Sequence, residues 1–251
     1  MTHLTQPKLR ALMPDAPEIL CQLLDRSRGP VQPPIRAEIF GPQRFAQHGR
    51  SLAQTHRATR ASGRAGNFFP RIKNNLVMLR EAHQYIGGQA SNGYDISPAA
   101  EWLLDNFHLI EAQLNEIKAG LPRSYFTTLP KLLDEPLAGL PRVYGVAWAF
   151  VAHTDGAFDT AMLVQFLCAY QEVRELHLSE MWALPTTLRV VLIENLRRLA
   201  VRVATNKAAR EVANRCVDQI DLTPLSTFMA LLDLLNARGL GRVFLVQLAR
   251  V

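Results

Sequence analysis

Three places in the 251-residue sequence bring chemistry-bearing side chains to short helical or turn spacing. His108 and Glu111 are three residues apart, with Glu101 and Asp105 preceding them. Histidine and carboxylate at helical spacing can build half of a metal site. No matching half from a second helix is visible, and Glu101 and Asp105 lie opposite the apolar stripe, so a solvated or interface face is the simpler account. His153 and Asp155 stand in the turn HTDG and could form an acid–base pair. No Ser or Cys nucleophile accompanies them. A histidine at a helix C-terminus followed by a turn-forming aspartate accounts for both. Glu194 interrupts the apolar run 188–199 and reaches Arg197 at i, i+3 and Arg198 at i, i+4, which reads as a surface ion pair. No catalytic, cofactor-binding or metal-binding residue is assigned. Glycine-rich phosphate loops, strand patterns of a nucleotide-binding sheet and paired aspartates are missing.

Charge is the second signal. The formal net charge is +6, with 23 arginines against 5 lysines. Between Glu38 and Glu81 there is no acid, and the interval holds Arg44, Arg50, Arg57, Arg60, Arg64, Arg71, Lys73 and Arg80. Those eight charges exceed the whole net charge, so the rest of the chain is slightly acidic. Such a segment can hold an anionic membrane surface, an acidic protein face or nucleic acid. A helical nucleic-acid-binding protein using residues 44–80 is the alternative reading, against which stands the absence of a recognisable helix-turn-helix or RNA-binding motif. Cys21, Cys168 and Cys216 are odd in number and lack CxxC spacing, which predicts reduced structural thiols.

These residues must be positioned by helices, because the helical period recurs almost everywhere and the strand period almost nowhere. A hydrophobic content of 48% against 20% charged supports a core. The predicted fold is all-α, an irregular multi-helix bundle around a buried central helix at 143–151, which is apolar all round. A helix is expected from near Ile35, interrupted by Pro42, another after Pro70, and a glycine-rich boundary at 87–98. Ser97 and Pro98 open a helix running to about 119. A short helical piece is expected at 129–133. Asp159 caps a helix through Tyr170, and Ser179 caps another that Pro185 breaks or kinks. The organisation reads as a helical arm with the basic segment at 1–90 and a helical bundle at 91–251. Its last helix ends without a cap at Val251, as if truncated. No secretory signal and no spanning helix are read.

Four blocks carry a resemblance. They are IRAEIFGPQRFAQHGRSLA from Ile35, NGYDISPAAEWLLDNFHLIEAQLNEIKAGLP from Asn92, LPRVYGVAWAFVAHTDGAFD from Leu140 and LSEMWALPTTLRVVLIENLRRLA from Leu178. Together they resemble the N-terminal region of the cyclic β-1,2-glucan synthases, bacterial inner-membrane glycosyltransferases. The resemblance implies a cytoplasmic, non-catalytic helical module, peripheral to the inner membrane through a parent protein. It would support assembly or regulation of glucan synthesis, with the remaining synthase domains as partners. The parent would use UDP-glucose and a divalent metal, and this chain no cofactor. Trp102, Trp148 and Trp182 fall in these blocks. Trp148 is expected in the core. Trp102 and Trp182, with His108, Glu111, Arg142, His153 and Asp155, are the expected docking face. The eight basic residues of 44–80 are the expected contact with an anionic surface.

Overall fold

The structure is a computed structural model that describes residues 8–26, 29–60, 68–120, 122–154 and 156–251. Helices α1 (Leu9–Leu12), α2 (Glu18–Asp25) and α3 (Pro42–Thr55) come first. Strand β1 (Ala58–Thr59) precedes α4 (Phe68–Ser91), α5 (Pro98–Asp105), α6 (Phe107–Gly120) and α7 (Arg123–Thr128). Strand β2 (Lys131–Leu132) pairs antiparallel with β1. Then follow α8 (Arg142–Ala152), α9 (Thr160–Gln171), α10 (Leu178–Asp218), α11 (Leu225–Ala237) and α12 (Gly241–Leu248). The chain is all-α with one two-residue strand pair.

Several boundaries differ from the sequence pattern. Residues 35–41 run extended, and Pro42 opens α3 rather than bending it, because a proline at the first helical position loses no hydrogen bond. The glycines at 87 and 88 do not end α4, which continues to Ser91. Asn106 separates α5 from α6, so 98–120 is two helices. Residues 131–132, expected in a helical piece, form β2. Pro185 lies inside α10 without ending it. The flanking Ala183, Leu184, Leu188 and Val191 are buried, and their burial outweighs one missing backbone bond. Two caps match expectation: Ser97 accepts from the Ala100 amide and Asp159 from the Met162 amide.

The contacts group the chain into two compact units that interleave in sequence. They follow different boundaries from the division at residue 90. The first unit comprises residues 1–33, 77–107 and 197–251. In it, the Leu9 amide donates to Asp25 Oδ1 at 2.8 Å, tying α1 to α2. Phe228 of α11 meets Phe244 of α12 with ring centroids 5.8 Å apart.

The second unit comprises residues 34–76 and 108–196. Its centre is α8, in which every residue but Trp148 is buried. Trp148, expected in the core, is half-buried, with the Arg71 guanidinium 5.8 Å from its ring. Phe45, Phe150 and Phe166 form an aromatic cluster with centroids 5.5–6.0 Å apart. Helices α3 and α9 approach closely because Gly49 has no side chain. A Cβ there would lie 2.7 Å from the Phe166 carbonyl oxygen.

Candidate functional site

The second unit holds two buried charge clusters. Glu194 on α10 is fully buried, which corrects the expected surface ion pair. Arg71 grips it with Nε donating to Oε2 at 2.7 Å and Nη2 to Oε1 at 2.6 Å. The Tyr144 hydroxyl donates to Oε2 at 2.9 Å, and Asn75 Nδ2 donates at 3.3 Å. Burial and the Glu194 charge push the Tyr144 phenol above its usual range, so it stays a neutral donor to an ionised carboxylate. With four donors on two oxygens, Glu194 is saturated. It is an anchor holding α4, α8 and α10 together, not a general base. The apolar run around Glu194 conceals this role, because its strongest partner is 123 residues away.

The other cluster joins α8 to the start of α10. Arg142 Nε donates to Glu180 Oε1 at 2.9 Å and its Nη2 donates to Oε2, while Nη2 also reaches the Glu175 carbonyl at 2.9 Å. The His177 amide donates to Glu180 Oε2 at 3.0 Å. Glu180 is therefore the third helical residue reaching back to the residue before the helix, one half of a capping box. This is how α10 begins, one residue before the expected Ser179 cap. Nearby, His56 Nδ1 lies 3.0 Å from the Tyr170 hydroxyl. Burial, then Arg142 and Arg174, lower the His56 pKa to about 4, and burial raises Tyr170 to about 12.

The expected docking residues differ in exposure. Arg142 is only 5% exposed and committed to Glu180, so it offers nothing to a partner. Trp102 and Trp182 are 52% and 75% exposed, and His108 is exposed. Glu111 is half-buried. His153 follows α8 as its cap residue, bonds the Glu38 carbonyl through Nδ1 at 2.6 Å and stacks on Phe40 at 3.8 Å. Asp155 lies outside the described residues. Asn106 leaves Glu101 and Asp105 on α5 and His108 and Glu111 on α6. Among the described residues, no group of three or more His, Cys, Asp or Glu side chains could hold a metal ion.

The basic segment is largely tied down by carboxylates. Arg44 pairs with Glu38, Arg50 with Glu172, Arg57 with Asp134 and Arg71 with Glu194. The guanidinium groups of Arg50 and Arg57 hold the Glu172 and Asp134 carboxyls below their usual range. Arg60, Lys73 and Arg80 are exposed. Arg64 lies outside the described residues.

The first unit carries a cleft of about 660 Å³ between the end of α4, the start of α5 and α10. Glu211 organises one wall. It accepts from the Tyr85 hydroxyl at 2.8 Å, Gln89 Nε2 at 3.0 Å and Arg215 Nη2 at 3.1 Å. Burial and then Glu211 push the Tyr85 phenol up, so Tyr85 acts as a donor only. Lys207 donates to the Asp95 carbonyl at 2.6 Å and lies 5.8 Å from the exposed Tyr94 ring. The sequence pattern did not single out any of these residues. Its only signal was a polar row on a long amphipathic helix.

No family model matches the chain. The cyclic β-(1,2)-glucan synthase NdvB of Rhizobium meliloti (strain 1021) is 34% identical to it over 191 residues. The match covers 74% of this chain and 6% of that relative. No helix among the described residues is long and apolar enough to cross a membrane. Over about three quarters of its length, this all-α chain is similar to one short stretch of a cyclic β-(1,2)-glucan synthase.

Proposed function

We propose that the chain is a non-catalytic helical module, the N-terminal part of a cyclic β-1,2-glucan synthase-like glycosyltransferase, that supports assembly or regulation of glucan synthesis. The carrying observation is the match itself, which takes in most of this chain and a small fraction of its relative. The side chains agree with that reading: Glu194 and Glu180, the carboxylates buried most deeply, are saturated by neighbours and hold helices together. The partners are the remaining synthase domains, which would handle UDP-glucose and the divalent metal. The module works at the cytoplasmic face of the inner membrane, with exposed Arg60 and Lys73 available to the anionic leaflet.

The test uses a glucan synthase from which the matching region has been deleted, produced with and without this chain. The chain is expected to copurify with the deleted synthase and to restore glucan synthesis. Alone, with labelled UDP-glucose and Mg²⁺, it is expected to yield no glucan. Turnover by the chain alone overturns the non-catalytic reading, and failure to copurify overturns the assembly reading.

A further inference from the structure

Most arginines described above are matched to a carboxylate, whereas Arg210, Arg242 and Arg250 of the first unit have no carboxylate partner among the described residues. Arg210 on α10, Arg242 on α12 and Arg250 just beyond it line one cleft of about 270 Å³, together with Val243, Val246 and Gln247. Arg242, Val243, Val246 and Gln247 share one face of α12 at helical spacing, and Arg250 just beyond the helix lines the same cleft as Arg210. Among the described residues no side chain of the three makes an ion pair or hydrogen bond, whereas Arg215, one turn beyond Arg210 on α10, is held by Glu211.

That arrangement is electrostatically costly when empty. Three cations around one cleft repel each other. Arg242 also sits in the first turn of α12, at the positive end of the helix dipole, where a cation is disfavoured and an anion favoured. No acid is among the residues that line the cleft, so an anionic ligand would relieve this repulsion. A phosphate group suits the donors, because several guanidinium forks can bond its oxygens at once, each bond charge-assisted. The aliphatic walls of Val243 and Val246 reduce the screening by water around those bonds.

We propose that this cleft binds a phosphate group, carried by a soluble phosphate ester or by a lipid headgroup, through Arg210, Arg242 and Arg250. The site is separate from the basic segment 44–80 and does not depend on the glucan synthase reading. The full chain is titrated calorimetrically with inorganic pyrophosphate at low ionic strength and sedimented with phosphatidylglycerol or phosphatidylcholine vesicles. One saturable site is expected, weakening with salt. The double variant Arg210→Gln/Arg242→Gln is expected to bind at least tenfold more weakly. Arg44→Gln/Arg50→Gln, which removes arginines already paired, is expected to bind like the parent. Thermal melts confirm folding, and Arg250→Gln, beyond the last helix, serves if the double variant does not fold. Pyrophosphate binding that falls in the cleft variant supports the site with a soluble ligand. Phosphatidylglycerol binding lost in that variant, without pyrophosphate binding, supports it with a lipid headgroup. The proposal is overturned if neither probe binds, if the cleft variant binds like the parent, or if the Arg44/Arg50 variant loses as much affinity.

Discussion

Glu194 shows how far one side chain's role depends on partners distant in sequence. An exposed pair between Glu194 and a neighbouring arginine would contribute about 0–1 kcal/mol. A buried carboxylate with Arg71, Tyr144 and Asn75 around it is a different case, because its removal strands a half-buried arginine, a buried phenol and a buried amide. Glu194→Ala is expected to destabilise the chain by about 3–5 kcal/mol, read as a lower urea midpoint at unchanged slope. A midpoint within error of the parent would remove Glu194 from the anchoring role. His56 gives the pH dependence. Its folded pKa of about 4 lies below the unfolded value of about 6.5. As pH falls from 6.5 to 4 the unfolded chain takes up a proton that the folded chain refuses, so stability present above pH 6.5 is lost across that window. Below about pH 4 both states are protonated and the loss is complete. The linkage amounts to up to about 3 kcal/mol. His56→Gln, which can still bond the Tyr170 hydroxyl, should lose less stability than the parent between pH 6.5 and 4 in denaturant titrations, and equal slopes would remove His56 as the cause.

Among the helices, two glycines separate packing from propensity. Gly49 faces the α9 backbone, with the Phe166 oxygen 2.7 Å and the Tyr170 nitrogen 3.2 Å from where a Cβ would sit. Gly49→Ala gains about 1 kcal/mol of helix propensity but forces α3 from α9, at about 1–3 kcal/mol. A lower melting temperature is expected. Gly88 lies in α4 with nothing within 4 Å of the same position, so Gly88→Ala is expected to raise it, by about 0.5–1 kcal/mol of stability. If both alanines shift the melt the same way, the close approach of α3 and α9 is not limiting. The tryptophans grade similarly. Trp182→Ala and Trp102→Ala, at exposed positions, should change stability by about 0.5 kcal/mol or less. Half-buried Trp148→Ala should cost more than either and less than the roughly 3–5 kcal/mol of a fully buried ring. Thermal melts of the three variants check that order. The docking role further requires that Trp102→Ala and Trp182→Ala lower copurification with the deleted synthase while leaving the melt intact.

For the whole molecule, the distribution of charge is not the one the linear sequence suggests. The segment 44–80 holds most of the excess positive charge by count, yet four of its arginines face carboxylates at residues 38, 134, 172 and 194. Arg210, Arg242 and Arg250, without a carboxylate partner among the described residues, line one cleft. Liposome binding by the parent and by the Arg210→Gln/Arg242→Gln variant therefore compares two basic regions of one chain, and the larger effect is expected from the second.

The sequence by itself determined the fold class, the buried helix α8, the caps at Ser97 and Asp159 and the likeness to a glucan synthase. Those rest on signals within one or two helical turns, or on ordered blocks of residues. Proline and glycine were less decisive. Pro42, Gly87, Gly88 and Pro185 carry local penalties of a few kcal/mol at most, and burial of the surrounding helix faces offset them at the last three. Only the tertiary structure decided that Glu194 is buried, that Arg142 is unavailable to a partner and that Arg210, Arg242 and Arg250 share one cleft. A charged side chain's environment is set by what packs against it, and for Glu194 and Arg142 those groups are 33 to 123 residues away.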